Sequence, residues 1–152
     1  MYKNTVKDIT IKKRQGVCQC SEVRYEVSGQ PIVFYRCHCT ECQRQSGSAF
    51  GMSMWIKEGE FKITSGSLEK TTRTADSGGK IEAYFCRSCG VRIYTKALGM
   101  DAEYIVLKPG TLDSTDDLKP SADIWLKSSQ DWFSPPEDIL HFQGQPKLGN
   151  WY

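Results

Sequence analysis

The stretch Cys37–Cys42 has the sequence CHCTEC, which places three cysteines within six residues. The chain has 152 residues and seven cysteines, and the other four lie in two short motifs, Cys18-Gln19-Cys20 and Cys86-Arg87-Ser88-Cys89. An odd number of cysteines cannot all form intramolecular disulfides, whereas clustered cysteines are typical of metal sites in compartments that keep thiols reduced. The three clusters therefore predict a fold that is organised around bound zinc.

The spacing within each cluster predicts how the sulfur atoms meet. Residues two apart in an extended strand point to the same side, so Cys18 and Cys20 can share one metal ion, as can Cys37 and Cys39. In the Cys-x-x-Cys motif a tight turn brings the sulfurs together, and Gly90 supplies the positive φ that such a turn needs. Structural zinc takes four tetrahedral ligands. We expect four of the seven cysteines to form a closed structural site.

Spacing alone leaves two groupings open, because the Cys18–Cys20 motif can join either the Cys86–Cys89 motif or the first two cysteines of Cys37–Cys42. The remaining three cysteines then form a second site. Three protein ligands and one exchangeable position are typical of a reactive zinc. Three thiolates leave one net negative charge on such a site, which favours binding a substrate thiolate over generating hydroxide from water. The pattern thus predicts sulfur chemistry.

Composition bounds the rest of the protein. With 152 residues, of which 39% are hydrophobic, the chain fits one domain with its own core. The net charge of +2 comes from scattered residues of both signs, so we expect no nucleic-acid partner and no membrane partner. Residues Met1–Gly16 contain no apolar core of a signal peptide, and no apolar run approaches the ~20 residues of a membrane span. A cytoplasmic protein is expected.

Short runs rich in β-branched and aromatic residues, bounded by Gly, Ser, Pro and Asp, predict one all-β, mainly antiparallel domain. The best helical segment is Thr40–Gln45, so very little helix is expected. The predicted strands are Thr5–Ile11, Glu22–Ser28, Ile32–Arg36, Ala49–Ile56, Phe61–Thr64, Leu68–Thr74, Lys80–Phe85, Arg92–Lys96, Tyr104–Leu107 and Ala122–Leu126.

Several motifs carry a likeness to a known family. They are Gly16-Val17-Cys18-Gln19-Cys20, Val23-Arg24-Tyr25, CHCTECQRQSG from Cys37 to Gly47, FCRSCG from Phe85 to Gly90, and the end from Ala122-Asp123-Ile124 through Trp132 to Pro146. In these motifs the sequence resembles the glutathione-dependent formaldehyde-activating enzyme family, which also contains centromere protein V. The resemblance implies a zinc-containing β-tent domain over residues 16–146, an N-terminal strand or extension over residues 1–15, and a C-terminal tail over residues 147–152.

The resemblance also implies ligands and an activity. Carried onto matching positions, it makes Cys18, Cys20, Cys86 and Cys89 the structural zinc site, and Cys37, Cys39 and Cys42 the open, catalytic site with a more labile zinc. The implied reaction is of the carbon–sulfur lyase type, in which glutathione adds to formaldehyde to give S-hydroxymethylglutathione. The implied partners are therefore a small thiol such as glutathione and an aldehyde.

Two other function classes fit the same residues. One is a noncatalytic, zinc-stabilised protein-binding module, and the other is a thiol redox or metal sensor built on the Cys37–Cys42 cluster.

Several individual side chains near the motifs can have either a functional or a purely structural role. His38 is expected to point away from the metal and to form hydrogen bonds or pack, and Arg44 is either a carboxylate-binding group or an ordinary surface arginine. The four tryptophans, Trp55, Trp125, Trp132 and Trp151, are expected to pack in the core or at its edge.

Overall fold

The computed structural model describes residues 13–99 and 103–151. Within these residues short strands alternate with turns, and α1 (Thr40–Ser46) is the single α-helix. The strands are β1 (Arg14–Val17), β2 (Arg24–Val27), β3 (Val33–Cys37), β4 (Gly51–Lys57), β5 (Phe61–Ser65), β6 (Leu68–Thr74), β7 (Lys80–Cys86), β8 (Arg92–Ala97), β9 (Tyr104–Leu107), β10 (Ala122–Ile124) and β11 (Leu140–His141). Short 3-10 helices occupy Glu58–Glu60, Pro109–Thr111, Leu126–Ser128 and Leu148–Asn150.

The predicted all-β, mainly antiparallel class with very little helix is confirmed for the part of the chain that the structure describes. The predicted helix Thr40–Gln45 is α1, and the predicted strands from Glu22 onward are present. The ends of β6 and β9 are as predicted, and each of the other predicted strands has at least one shifted end. Sequence reasoning missed β1 and β11, which have only four and two residues. The predicted strand Thr5–Ile11 lies outside the described residues.

The strand predicted over Ala122–Leu126 ends early, at Ile124. The reason is the backbone of Trp125, whose φ of 59° lies in the left-handed region, where a strand cannot continue. A 3-10 helix begins directly afterwards at Leu126. At this bend the N–H of Leu126 donates to the carbonyl of Phe142 at 3.1 Å.

The described residues fall into two compact units, and the first contains residues 13–32, 55–99 and 103–117. In it, β1, β2 and β5 form one antiparallel sheet, and β9, β8, β7 and β6 follow one another in that order as antiparallel neighbours. Alternate side chains are buried, such as Tyr25 and Val27 in β2 and Ile105 and Leu107 in β9. Burial of each such side chain contributes about 1.5–3 kcal/mol to stability. This core supports the Cys18–Cys20 and Cys86–Cys89 motifs.

The second unit contains residues 33–54 and 118–151. Here β3 lies between β10 and β4, and β10 pairs in parallel with both β3 and β11. Residues 33–35 of β3 are buried in succession, which is typical of a central strand that is covered on both faces, and the Trp151 ring stacks on Tyr35 at a centroid distance of 4.9 Å. The strand β3 runs directly into the Cys37–Cys42 motif.

Candidate metal centres

Four sulfur atoms meet in the first unit. The Sγ atoms of Cys18, Cys20, Cys86 and Cys89 all lie within 4.8 Å of one another. The Cys18–Cys20 and Cys20–Cys86 sulfur pairs are 3.5 and 3.7 Å apart. A tetrahedral zinc with Zn–S bonds of about 2.3 Å requires sulfur–sulfur separations of about 3.8 Å. The cluster therefore has the donor set and the dimensions of a four-thiolate metal site.

The first half of this cluster is a turn rather than the predicted extended strand. The strand β1 ends at Val17, and the N–H of Ser21 donates to the carbonyl of Cys18 at 3.1 Å. Ser21 has a φ of 67°, which reverses the chain so that the N–H of Cys18 donates to the carbonyl of Val23 at 3.0 Å. The N–H of Val23 in turn donates to the sulfur of Cys18 at 3.3 Å. The turn, and not strand alternation, brings Cys18 and Cys20 together.

The second half has the geometry that the Cys-x-x-Cys-Gly sequence predicts. Gly90 has a φ of 75°, and its N–H donates to the carbonyl of Cys86 at 2.8 Å. The N–H of Cys86 donates to the carbonyl of Val91 at 2.9 Å, which closes the turn. The role predicted for Gly90 is confirmed.

Backbone donors favour the thiolate form of Cys89 and Cys18, whereas the neighbouring thiol of Cys18 raises the pKa of Cys20 to about 12 and burial raises the pKa of Cys86. The N–H groups of Val91 and Cys20 donate to the sulfur of Cys89 and lower its pKa to about 6. Burial opposes ionisation of Cys18, yet hydrogen bonds, led by that of the Val23 N–H, leave its pKa lowered as well. A thiol that ionises near neutral pH gives up its proton readily to a divalent cation. Two of the four thiols thus lose their protons readily, in a cluster whose dimensions fit a metal ion.

Three further sulfur atoms meet in the second unit. The Sγ atoms of Cys37, Cys39 and Cys42 lie within 4.8 Å of one another. Cys37 is the last residue of β3, Cys39 is the N-cap of α1, and Cys42 lies in the first turn of that helix. Cys37 is buried, whereas the other two are partly exposed. The cluster is therefore accessible to solvent on one side, as an exchangeable site must be.

Hydrogen bonds from the neighbouring thiols favour a thiolate at Cys39 in this cluster. Hydrogen bonds from the thiols of Cys37 and Cys42, together with backbone N–H groups of Cys42 and Glu41, lower the pKa of Cys39 to about 2. Hydrogen bonds with the Cys39 and Cys42 sulfurs raise the pKa of Cys37, and burial contributes in the same direction. The first thiolate of the cluster is therefore that of Cys39.

The backbone of Gly51 packs closely against the side chain of Cys42. Gly51, the first residue of β4, lies so near that a Cβ atom there would be 3.2 Å from the Cys42 Cβ and 3.6 Å from its sulfur. A larger residue at this position would press on the cluster. Sequence reasoning did not single out Gly51, and no local motif marks it.

His38, between two of these cysteines, does not join the sulfur cluster. Its Nε2 lies 2.9 Å from an oxygen of Asp123, and both side chains are completely buried. The predicted hydrogen-bonding role of His38 is confirmed. Asp123 was missed as a functional residue, although the sequence carries a signal for it: it is a carboxylate between Ala122 and Ile124 in a strand that is otherwise apolar and buried.

A groove of about 630 Å³ adjoins α1, lined by Gln43, Arg44, Gly47, Ser48, Ala49, Phe50, Gln130 and Trp132. Its lining begins at Gln43, directly after Cys42.

The prediction that all four tryptophans pack in or beside the core is wrong for Trp132, which is 69% exposed. Its indole N–H donates to the Gln130 side chain at 2.6 Å. Arg44 is exposed and forms an ion pair with Glu41 at 3.0 Å. The groove thus offers a cation, amides and an indole, and it begins one residue after Cys42 on α1.

Comparison with known proteins bears on both clusters. Residues 13–128 match the family model described as glutathione-dependent formaldehyde-activating enzyme. The chain belongs to this family. The matched range contains all seven cysteines together with His38 and Asp123, so both sulfur clusters are part of the family domain.

A crystal structure of a Rhodobacter sphaeroides protein is similar, with a TM-score of 0.51 and 19% sequence identity. The alignment covers 70% of this chain and 91% of that one. At this level of identity the likeness shows a shared fold.

None of the helices in residues 13–99 and 103–151 is long and apolar enough to cross a membrane.

Proposed function

We propose that this family member is a zinc-dependent enzyme of the carbon–sulfur lyase type that interconverts a free thiol and aldehyde with their hemithioacetal, with glutathione and formaldehyde as the substrate pair. The observation that carries the proposal is the partly exposed cluster of Cys37, Cys39 and Cys42, in the same unit as a groove whose lining includes Gln43 and Arg44. Family membership supplies the substrate pair. The cytoplasm, where thiols stay reduced, is the proposed location.

The two clusters would hold different zinc ions. We assign Cys18, Cys20, Cys86 and Cys89 to a structural ion, because four thiolates complete a tetrahedral shell. We assign Cys37, Cys39 and Cys42 to the catalytic ion, which would supply positive charge and an exchangeable coordination position for a substrate thiolate. With only three protein ligands, the second ion is expected to be the more labile.

The residues of α1 prepare the second site. Hydrogen bonds from the thiols of Cys37 and Cys42, and then from N–H groups at the start of α1, lower the pKa of Cys39, so this ligand gives up its proton readily to a metal ion. The exposure of Cys39 and Cys42 lets a substrate sulfur approach them. The arrangement favours thiol chemistry over hydrolysis, since three anionic ligands weaken the tendency of the site to ionise water.

The groove would bind the rest of the thiol substrate. A glutathione-like thiol carries two carboxylates, and the Arg44 guanidinium can exchange its ion pair with Glu41 for one of them. The amides of Gln43 and Gln130 and the indole of Trp132 offer further polar and flat apolar contacts. Binding there would hold the sulfur end of the substrate near the three cysteines.

The chemical step balances without an oxidant. The thiol loses its proton, its sulfur adds to the aldehyde carbon, and the carbonyl electron pair moves to oxygen, which takes up a proton. The product is the neutral hemithioacetal, and the reverse sequence releases the aldehyde.

The test is exchange NMR spectroscopy with ¹³C-formaldehyde and glutathione, using protein of verified metal content. We expect exchange between free and thiol-bound formaldehyde to be faster than the uncatalysed background. The Cys39→Ser variant at equal concentration serves as control, because it retains the groove and the remaining thiols. A wild-type rate equal to the background, with both metal sites filled, would overturn the enzyme and favour the noncatalytic zinc-stabilised module.

A further inference from the structure

The carboxylate of Asp123 is completely buried in the second unit and lies beside the strand that carries Cys37. The strand β10 pairs in parallel with β3, with Asp123 opposite Arg36 and Ile124 opposite Cys37. Burial of a carboxylate destabilises the fold unless the group is paired and hydrogen-bonded, so Asp123 is expected to have partners of this kind.

Both partners come from the residues that flank Cys37. The Arg36 side chain donates from Nε to one oxygen of Asp123 at 2.8 Å and from Nη2 to the other at 2.7 Å. His38 Nε2 lies 2.9 Å from the first oxygen. Because alternate residues of extended backbone point to the same side, Arg36 and His38 share one side while Cys37 points to the other. Asp123 thus holds the chain on both sides of Cys37.

Two aromatic rings close the network. The Arg36 guanidinium lies 5.3 Å from the ring centre of Phe50 and 5.2 Å from that of Phe133. The His38 ring lies 4.3 Å from Phe133 and 5.4 Å from Phe50. Cation–π and ring contacts of this kind hold a side chain in one orientation. Neither partner of Asp123 can swing away without losing these contacts.

The backbone of His38 is fixed as well. Its N–H donates to the carbonyl of Ile124 at 2.9 Å, and its carbonyl accepts from Gln43 Nε2 at 2.8 Å and from Ser128 Oγ at 3.1 Å. The residue between two candidate ligands is therefore held at its ring, its N–H and its carbonyl. The buried Nδ1 of the same ring has no hydrogen-bond partner among the described residues, so the position of the ring is set by Asp123 and by its aromatic neighbours. Hydrogen bonds at three points of one buried residue favour one geometry over alternatives.

We infer that Asp123 is a positioning residue for the three-thiolate site: through Arg36 and His38 it fixes the Cys37–Cys39 backbone and so sets the affinity and geometry of the metal bound there. This inference rests on the proposed assignment of a metal to Cys37, Cys39 and Cys42. Asp123 is therefore expected to affect metal binding at the three-thiolate site and not at the four-thiolate site.

The experiment uses the two sites of one chain as mutual references. The full-length protein is loaded with Co²⁺, and each ion is withdrawn with a chromophoric chelator while the thiolate-to-cobalt absorption is recorded. Cys42→Ser identifies the signal of the three-thiolate site. We expect Asp123→Asn to weaken that site by about tenfold, as loss of an outer partner typically does, and to alter its absorption, while the four-thiolate site is unchanged. Asp113→Asn, which breaks the exposed ion pair with Arg24, serves as the matched control and should change neither site.

A second pair of variants decides the matter if Asp123→Asn does not fold. His38→Phe fits between the two phenylalanine rings but cannot donate to Asp123, whereas His38→Gln retains a donor. We expect His38→Phe to weaken the three-thiolate site and His38→Gln to restore most of its affinity. Equal losses at both sites, or no loss at either, would overturn the inference while leaving the proposed function intact. A wild-type protein that binds one ion, and still binds it in Cys42→Ser, would overturn both.

Discussion

The sulfur of Cys39 accepts a hydrogen bond from the backbone N–H of Cys42 at 3.3 Å, so that one candidate metal ligand caps the helix that carries another. An N-cap acceptor satisfies an N–H group that would otherwise lack a partner in the first turn. The same contact lowers the pKa of Cys39, which links the start of α1 to the charge of the cluster.

This double role separates two substitutions of Cys39. Serine retains a cap, so Cys39→Ser should fold with a melting temperature close to that of a protein lacking the second metal, and it should bind one metal ion and lose thiol–aldehyde exchange. Cys39→Ala loses the cap as well and should be less stable than Cys39→Ser by about 1 kcal/mol. Metal analysis measures the number of bound ions, and thermal and chemical denaturation measure the stability of the two variants. Two retained ions in Cys39→Ser would contradict the ligand assignment.

The four-thiolate cluster should behave as part of the fold. We expect Cys86→Ser to unfold or aggregate, because a structural zinc contributes folding free energy of about 10 kcal/mol and the buried Cys86 cannot be replaced by water. Circular dichroism and metal content provide the measurement. Cys42→Ser, which changes the other cluster, is the control and should remain folded. Unchanged melting of Cys86→Ser would contradict the structural role.

Gly90 tests the turn separately from the metal. A Cβ at Gly90 would meet nothing within 4 Å, but its φ of 75° disfavours any side chain. We therefore expect Gly90→Ala to destabilise the protein by about 1–2 kcal/mol through backbone strain alone and to speed metal loss from the adjoining site. Gly59→Ala is the matched control, since a Cβ there also meets nothing within 4 Å and no left-handed φ is involved, and its stability should be unchanged or slightly higher. Equal stability of the two variants would show that the turn is not strained.

The sequence was sufficient to predict the sheet class, the helix and the turn at Gly90, because β-branched runs and a Cys-x-x-Cys-Gly turn are local signals. It was insufficient for the Cys18 turn, because the left-handed φ falls on Ser21, a residue type that seldom adopts it. It also assumed that Trp132 is packed. That error arose because exposure is set by the tertiary position of residues 130–133, which local composition does not encode.

The hydrogen-bond network around Asp123 likewise could not be predicted from the sequence. An acid within an apolar strand indicates a buried partner, but the identity of that partner depends on the parallel pairing of β10 with β3, between residues 87 apart in sequence. Sequence reasoning had predicted mainly antiparallel pairing and did not locate the parallel pairs. The grouping of the sulfur atoms, which spacing left open, likewise follows from long-range folding that brings the sulfurs of Cys20 and Cys86 within 3.7 Å.

The Glu82 carboxylate should stabilise the protein at neutral pH and lose this contribution at acid pH. Hydrogen bonds from Lys70 and then Tyr84 lower the pKa of Glu82, and the raised pKa of Tyr84, about 12, keeps that phenol a donor at neutral pH. A lowered carboxyl pKa contributes stability that is fully present above the ordinary value near 4.5 and is lost as the pH falls through the folded-state value. Glu82→Gln should therefore be destabilised relative to wild type at pH 7, with the difference shrinking below about pH 4.

Denaturation at a series of pH values measures this difference. Glu69→Gln is the control, because the Glu69–Arg87 pair is exposed and 3.7 Å long, and it should show little effect at any pH. A difference for Glu82→Gln that stays constant down to pH 3 would mean that the Glu82 charge does not stabilise the fold.

Arg44 separates substrate binding in the groove from chemistry at the cysteines. If its guanidinium binds a carboxylate of the thiol, Arg44→Ala should raise KM for glutathione by about fivefold, or ~1 kcal/mol for an exposed charged hydrogen bond, while kcat stays unchanged. The variant should not alter KM for a small uncharged thiol such as 2-mercaptoethanol, which has no carboxylate to bind. Arg73→Ala, an exposed arginine on β6, is the control for net charge. A KM for glutathione that rises equally in both variants would indicate a diffuse electrostatic effect, and one that rises in neither would leave Arg44 as an ordinary surface residue.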